Sequence, residues 1–514
     1  MTTRDGYDYV IIGAGMGGLT VGALLAHSGA KVALVEAHEY PGGCCHTFPM
    51  GDDYKFCAAV HYIFSCGEGE PIYNLLRALG LHDTITFERL DPEGYDHFSC
   101  PSAGIRFRIP NGLAKWGARM CDRFPDDAER IRSFFRVVTM LAAHIDELPE
   151  RYTPMNIARA IIASPAVVQV ARYRSHTLQK LMDEHRLSPA VQAIVATQMG
   201  DLGLPPRDVS LLIWVALVSR YGDGAYYPTE HFSSLIDGIT NTIAQAPGCS
   251  VAFNTEIASV RMEGDRVSAV VSTDGREFSG ARFICNADPK WFVGAVGRER
   301  FPREWLKRVE YEYSASSFSL YLGVRGDLDL RAHGFGNWNV WHYPSLDINA
   351  AYDRQHARDD LSDPWLFIST PTLCSPHAKT RHAPEGDNII EVITTCGHLP
   401  FEERQARGLR DYTDRKNTIR DRMIDILEEH YLPNVRKHVD MRVAGTPTTN
   451  KRYLWAPRGN IYGSALTPRN VDATRLGGTS PIENLFFVGA ASSFPSIGGT
   501  VGGGMRLFNA LSRG

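Results

Sequence analysis

The chain has 514 residues, a formal net charge of −4 and 44% hydrophobic residues, with no low-complexity tract. That length suffices to bury cores for two or more domains, and a near-neutral balance without a basic stripe argues against nucleic acid as a partner. No apolar run reaches the ~18 residues of a membrane span, and residues 1–6 carry no apolar leader. The expected location is therefore cytoplasmic, with peripheral membrane contact left open.

The first predicted element is an apolar strand, Asp8–Ile12, followed by Gly13-Ala14-Gly15-Met16-Gly17-Gly18 and an Ala/Leu-rich helix. The first glycine permits a tight turn, the second lets backbone approach a pyrophosphate, and the third lets helix pack on strand. The helix then directs its N-terminal N–H groups and positive dipole end at the phosphates. A second strand, Lys31–Val35, ends at Glu36 and Ala37, where a carboxylate would hold the 2′- and 3′-hydroxyls of an adenosine ribose. This favours FAD or NAD over NADP.

Tyr40-Pro-Gly42-Gly43-Cys44-Cys45-His46-Thr47-Phe48 follows at once. Two glycines expose N–H groups for a second contact along a long dinucleotide. The string resembles the extended fingerprint of the flavoprotein superfamily that contains amine oxidases, phytoene desaturases, carotenoid isomerases and retinol saturases. Cys44 stands where desaturases and amine oxidases usually carry arginine, and the segment is most similar to the retinol saturase and carotenoid isomerase branch. Phe56–Tyr62, Arg89–Tyr95, Phe124–Asp127 and Gln198–Pro206 also resemble blocks of that branch. Ala225-Tyr226-Tyr227-Pro228 departs from it by continuing Thr229-Glu230-His231-Phe232 in place of a glycine pair, a departure expected near substrate or flavin.

The resemblance implies an α/β fold, with a discontinuous Rossmann-like FAD-binding domain of the glutathione-reductase type. Residues 1–80, 235–300 and 450–514 would build it. Residues 81–234 and 301–449 would build an α+β substrate domain of mixed sheet and helices, with a helical subregion at about 126–192. Ser250–Val260 and Arg266–Gly275 read as successive strands of a meander divided by Gly264-Asp265, and the family places Ile257 beside the adenine. Phe283–Pro289, with Ala287, would return the chain to the nucleotide domain. Asn484–Ala490, with Gly489 and Ala490, reads as a last parallel strand, and Gly498–Gly504 opens a final helix. That N-terminus, with Gly499, Thr500, Val501 and Gly502, would face the isoalloxazine ring and stabilise negative charge on reduced flavin. Ser316–Gly323, Trp365–Ser369 and Asn388–Thr395 read as strands of the substrate domain.

FAD is thus the expected cofactor, and no metal is expected: the ten cysteines show no Cys-x-x-Cys spacing. Cys44 and Cys45 sit at the expected flavin, where packing is their default role. The expected activity is FAD-dependent oxidation or reduction at C=C bonds of a long apolar polyene, isoprenoid or acyl lipid: saturation, desaturation or flavin-mediated cis–trans isomerisation. It requires an external electron donor or acceptor. His61, Tyr227 and Glu230 are the candidate acid–base residues, with His46, Tyr62, Tyr226 and His231 nearby in sequence. Met155–Arg174, broken at Pro165, reads as an amphipathic helix pair, with a membrane-interface role as the alternative. Two other functions stay open: a non-catalytic lipid carrier of the GDP-dissociation-inhibitor type, and an FAD-dependent amine oxidase.

Overall fold

A computed structural model describes residues 6–51, 53–147, 154–376, 382–471 and 475–513, so residues 1–5 of the leader reading lie outside it. Tyr7–Ile12 forms a parallel strand between Val32–Val35 and the second half of Glu277–Cys285, with Ile11 opposite both Leu34 and Ile284. Leu485–Phe487 adds in parallel beyond Cys285, and Ser250–Ala252 adds beyond Val35. Such strands are buried on both faces, which is why they read as continuous apolar runs. The glycine-rich helix is Met16–His27, and it packs on both Phe232–Ala244 and the final helix, Ile497–Ser512.

The Ser250–Val260 expectation needs correction, because the segment is two strands. Ser250–Ala252 stays in the parallel sheet, whereas Ile257–Glu263 forms a hairpin with Arg266–Ser272. Asn254, at φ +49°, takes the left-handed turn between them, and Thr255 N then donates to Glu36 O at 2.8 Å. The start of Glu277–Cys285 closes this meander antiparallel, so one strand joins hairpin to parallel sheet.

A second seven-stranded sheet runs in the order Val439–Gly445, Ser316–Val324, Asn388–Cys396, Leu366–Ser369, Asn339–His342, Asp96–Cys100 and Ile105–Ile109. Its pairs are antiparallel except Asn339–His342 with Asp96–Cys100. The sheet is therefore mixed, as expected. Its second, third and fourth strands coincide with the predicted ones and are almost wholly buried, one face covered by Leu409–His430 through Ile419, Met423 and Leu427. Within 126–192 the described residues build the helices Ala128–His144, Pro154–Ala163, Ala166–Arg172, Leu178–Glu184 and Pro189–Val195. No helix among the described residues is long and apolar enough to cross a membrane.

Candidate functional site

A cavity of about 550 Å³ opens at the C-terminal ends of the parallel strands, beside Ile12 and Val35, and reaches the second sheet at Trp341, Phe367 and Ile393. In open α/β sheets this is where ligands bind.

The end nearest the parallel strands is built from backbone. Gly13 turns at φ +99°, and Gly15 is the N-cap of the first helix. A glycine offers no side chain to cap the helix, so its first-turn N–H groups are left for a ligand at the cavity wall. Gly43, at φ +58°, lies so close that a Cβ on it would stand 3.1 Å from Gly15 Cα. Gly13, Gly15, Gly17, Gly42 and Gly43 all line the cavity, as do Glu36 and Ala37. The Glu36 carboxylate accepts from Ala14 N at 2.6 Å and His38 N at 2.8 Å. Burial raises its pKa, opposed by those N–H donors, and a carboxylate holding two donors keeps lone pairs for a pair of ribose hydroxyls.

Cys44, Ile257, Ala287, Gly489, Ala490 and Thr500 also line the cavity. Five other predicted contacts do not. Ala14 serves through its N–H to Glu36, and Gly18 packs on the turn, where a Cβ would meet Gly13 O at 2.3 Å. In the final helix Gly499 N donates to the Ser496 hydroxyl at 2.9 Å, Val501 is fully buried, and Gly502 faces Arg506 and Pro71. The last helix thus presents Ile497, Gly498 and Thr500 to the cavity, with part of its first turn already capped.

Burial pushes the Cys44 thiol up to about 11 and Cys45 well above its ordinary value, so both are protonated thiols near neutral pH. His46, on the same wall, is lowered to about 4 by burial. It is therefore neutral near pH 7, and its Nδ1–H donates to Gly43 O at 2.7 Å. Among the described residues no cluster of three His, Cys, Asp or Glu side chains could hold a metal.

The far end is built from side chains. Tyr62 stacks on Tyr221 at 4.5 Å and on Phe367 at 5.6 Å, while Trp341 meets Phe367 edge-on at 4.7 Å. Two buried carboxylates that sequence reasoning missed stand behind these rings. Glu391 accepts from Cys57 N at 3.0 Å through one oxygen and makes a short contact to His61 Nδ1 through the other. His61 lines the cavity, and its Nε2 has no partner among the described residues. Asp96 accepts from Asn339 Nδ2 (3.1 Å), Gln198 Nε2 (2.8 Å) and the Tyr62 hydroxyl (3.0 Å), and that hydroxyl lies 2.6 Å from Asp201 Oδ2. Both acids had a sequence signal. Glu391 interrupts the apolar run Ile389-Ile390-Glu391-Val392-Ile393, and Asp96 opens the strand Asp96–Cys100, in which every residue but His97 is buried.

The other two acid–base candidates lie off the wall. Tyr227 is fully buried, with its ring 5.0 Å from Phe232 and its hydroxyl unpartnered among the described residues. Glu230 is half-buried beyond it. The Tyr226–Pro228 block pairs with Phe87–Arg89, and Tyr226 N donates to Ile63 O at 2.7 Å, so it supports the wall from behind, while residues 229–232, where the sequence departs from the family pattern, contribute nothing to the lining.

A family model described as NAD(P)-binding Rossmann-like domain matches residues 11–79. All-trans-retinol 13,14-reductase of Danio rerio is 24% identical, aligned over 94% of this chain and 82% of the relative. Prolycopene isomerase 1 of an Oncidium hybrid cultivar is also 24% identical, over 96% of this chain and 81% of the relative. Over nearly its whole length the chain is therefore similar to retinol 13,14-reductases and prolycopene isomerases. Its fold is also that of cyclohexylamine oxidase from Brevibacterium oxydans, with a TM-score of 0.64 at 16% identity and 99% coverage of both chains. The chain is an enzyme of the oxidoreductase type, with a cofactor of the flavin class.

Proposed function

We propose that the flavin is FAD and that the substrate is a long apolar polyene, saturated, desaturated or isomerised at a C=C bond. The observation that carries this is the single cavity joining a glycine-built dinucleotide crevice to an aromatic chamber. The donor set fits FAD: the uncapped first turn at Met16 for the pyrophosphate, Glu36 for the ribose, and Ile497, Gly498 and Thr500 at the far end of the molecule. Bound there, FAD supplies reversible hydride chemistry. The discontinuous division at about residues 80, 235, 300 and 450 follows the two sheets.

The chain's own residues then exclude water and manage protons. Trp341, Trp365 and Phe367 make the wall apolar, which shields a reduced cofactor from solvent. Glu391 holds His61 through Nδ1, leaving Nε2 to pass a proton to or from a reacting carbon at the wall. Amine oxidation is less well supported, because the chamber's carboxylates are tied up with protein donors.

A liposome flotation assay checks a membrane role for Pro154–Arg172, on which Met155, Ile162 and Val168 are exposed; protein remaining at the bottom removes it. The main test is anaerobic incubation of reduced, FAD-loaded protein with carotenoids, retinoids and unsaturated acyl lipids. Products two hydrogens heavier mean saturation, and unchanged mass with shifted retention means isomerisation. Protein that takes up no flavin after FAD addition returns the carrier reading.

A further inference from the structure

Four buried polar atoms without a partner among the described residues belong to three side chains that stand together behind the cavity wall: the Tyr227 hydroxyl, His231 Nε2 and both ring nitrogens of His382. The His231 and His382 rings meet edge-on at 4.4 Å, and Tyr227 lies 6.1 Å from His382 and 6.4 Å from His231. All three side chains are buried. His231 is also held at φ +78°, ψ 161°, a conformation that belongs to glycine, within the stretch that replaces the family's glycine pair. A side chain kept there against strain, and then left with an unpartnered nitrogen, calls for a use beyond packing.

The three groups lie between two places. On the inner side, the titratable groups acting on the Tyr227 hydroxyl are, from the strongest, Glu391, Cys57, Cys374 and Cys45. Glu391 in turn holds His61 through Nδ1. On the outer side, Lys55 faces both imidazoles and Glu230 faces His382, and both of these residues are partly exposed. Lys55 N donates to His382 O at 2.8 Å, and His231 Nδ1 lies 3.5 Å from Ser233 Oγ. Burial lowers His382 to about 4 and His231 well below its ordinary value, so both are neutral near pH 7. A neutral imidazole has one nitrogen that donates and one that accepts, and a phenol does both, so each group can take a proton at one site and release one. Two imidazoles fall short of a structural metal's ligand count, and no cluster of three metal-binding side chains is found among the described residues.

We propose that Tyr227, His231 and His382 form a proton path joining Glu391, and through it His61, to the surface at Lys55 and Glu230. Ordered water bound at the four unpartnered atoms bridges the rings. In saturation the reacting C=C bond takes a hydride from the cofactor and a proton from His61 Nε2, which leaves the His61–Glu391 pair one proton short. A proton passed from Tyr227 to Glu391 restores the pair, and a half-turn of the His61 ring returns a protonated nitrogen to the cavity. Tyr227 recovers its proton from the histidines, and they recover theirs from solvent. In desaturation the same path runs outward. The proposal rests on the polyene reading and adds the route by which its proton is supplied.

His231→Gly is the deciding variant, because glycine takes this backbone conformation without strain. It should unfold at no lower a temperature than the unaltered protein and take up as much FAD. It should saturate or desaturate the reactive polyene about 10²-fold more slowly, the lower end of what proton transfer contributes. Imidazole added to the buffer should restore the rate by entering the vacated space. Tyr227→Phe should be slowed alike, with flavin uptake intact and no rescue. Unchanged rates in both variants overturn the proposal, as does a slowed His231→Gly that imidazole leaves slow, which makes His231 a packing residue. Isomerisation with no net gain or loss of hydrogen consumes no proton, so that outcome overturns the proposal and spares the polyene reading. If the unaltered protein turns over no polyene, that reading falls and takes the proposal with it.

Discussion

The two ends of the cavity are made of different material. One is backbone: glycines, uncapped N–H groups and a carboxylate held by main-chain donors. The other is side chain: stacked aromatic rings and acids satisfied by residues far away in sequence, such as Glu391 with His61 and Asp96 with Asn339. A backbone site recognises a shape common to many enzymes, while a side-chain site can be rebuilt residue by residue. The first explains a fold shared with amine oxidases, and the second is where substrates diverge.

The sharpest way to separate the ends is His61→Ala. It should leave the flavin spectrum intact and lower turnover by about 10²–10⁴, the usual worth of a positioned proton donor; unchanged turnover removes His61 from the chemistry. Glu391→Leu strips the partner from His61 and the acceptor from Cys57 N, and should cost about 3–5 kcal/mol in denaturant unfolding, with Glu391→Gln costing less.

The side-chain end should also respond to pH. Burial raises Asp96 from 3.8 to about 6, so the folded chain holds this proton more tightly than the unfolded chain does. The associated stability is complete below about pH 3.8 and is lost as pH rises through about 6, a change on the order of 3 kcal/mol. Asp96→Asn should flatten that part of the stability profile relative to the unaltered protein, and identical profiles would break the assignment.

At the backbone end, Gly18→Val places side-chain atoms against Gly13 O. It should cost about 1–3 kcal/mol of packing, read as a reduced flavin-to-protein ratio. Smallest is Ser496→Ala, which removes the cap from Gly499 N and should cost ~1 kcal/mol of stability with little change in flavin content.

The same contrast decides what was legible in the sequence. Gly13–Gly18, Glu36 and Gly42-Gly43 act within some thirty residues, so spacing alone shows their chemistry. Tyr62, Asp96, Asp201 and Asn339 meet only after the second sheet forms, and no local pattern pairs them. The apparent single strand at Ser250–Val260 failed for a related reason: Asn254 turns so that Thr255 can bond back to Glu36, a contact made across more than two hundred residues. Gly499 shows a local signal with a second use, since the glycine expected to meet the cofactor is consumed by its own helix cap.

The packing of Met16–His27 against Ile497–Ser512 governs when the binding crevice can exist. A Cβ on Gly504 would stand 2.8 Å from Thr20 Cβ, so the two helices meet almost backbone to backbone. The glycine-rich turn leaves the ribosome well ahead of its packing partner, which arrives nearly five hundred residues later. At about 5–20 residues per second, the nascent turn waits tens of seconds or more before the crevice closes around it. Closure of the crevice is therefore a late event in the synthesis of this chain.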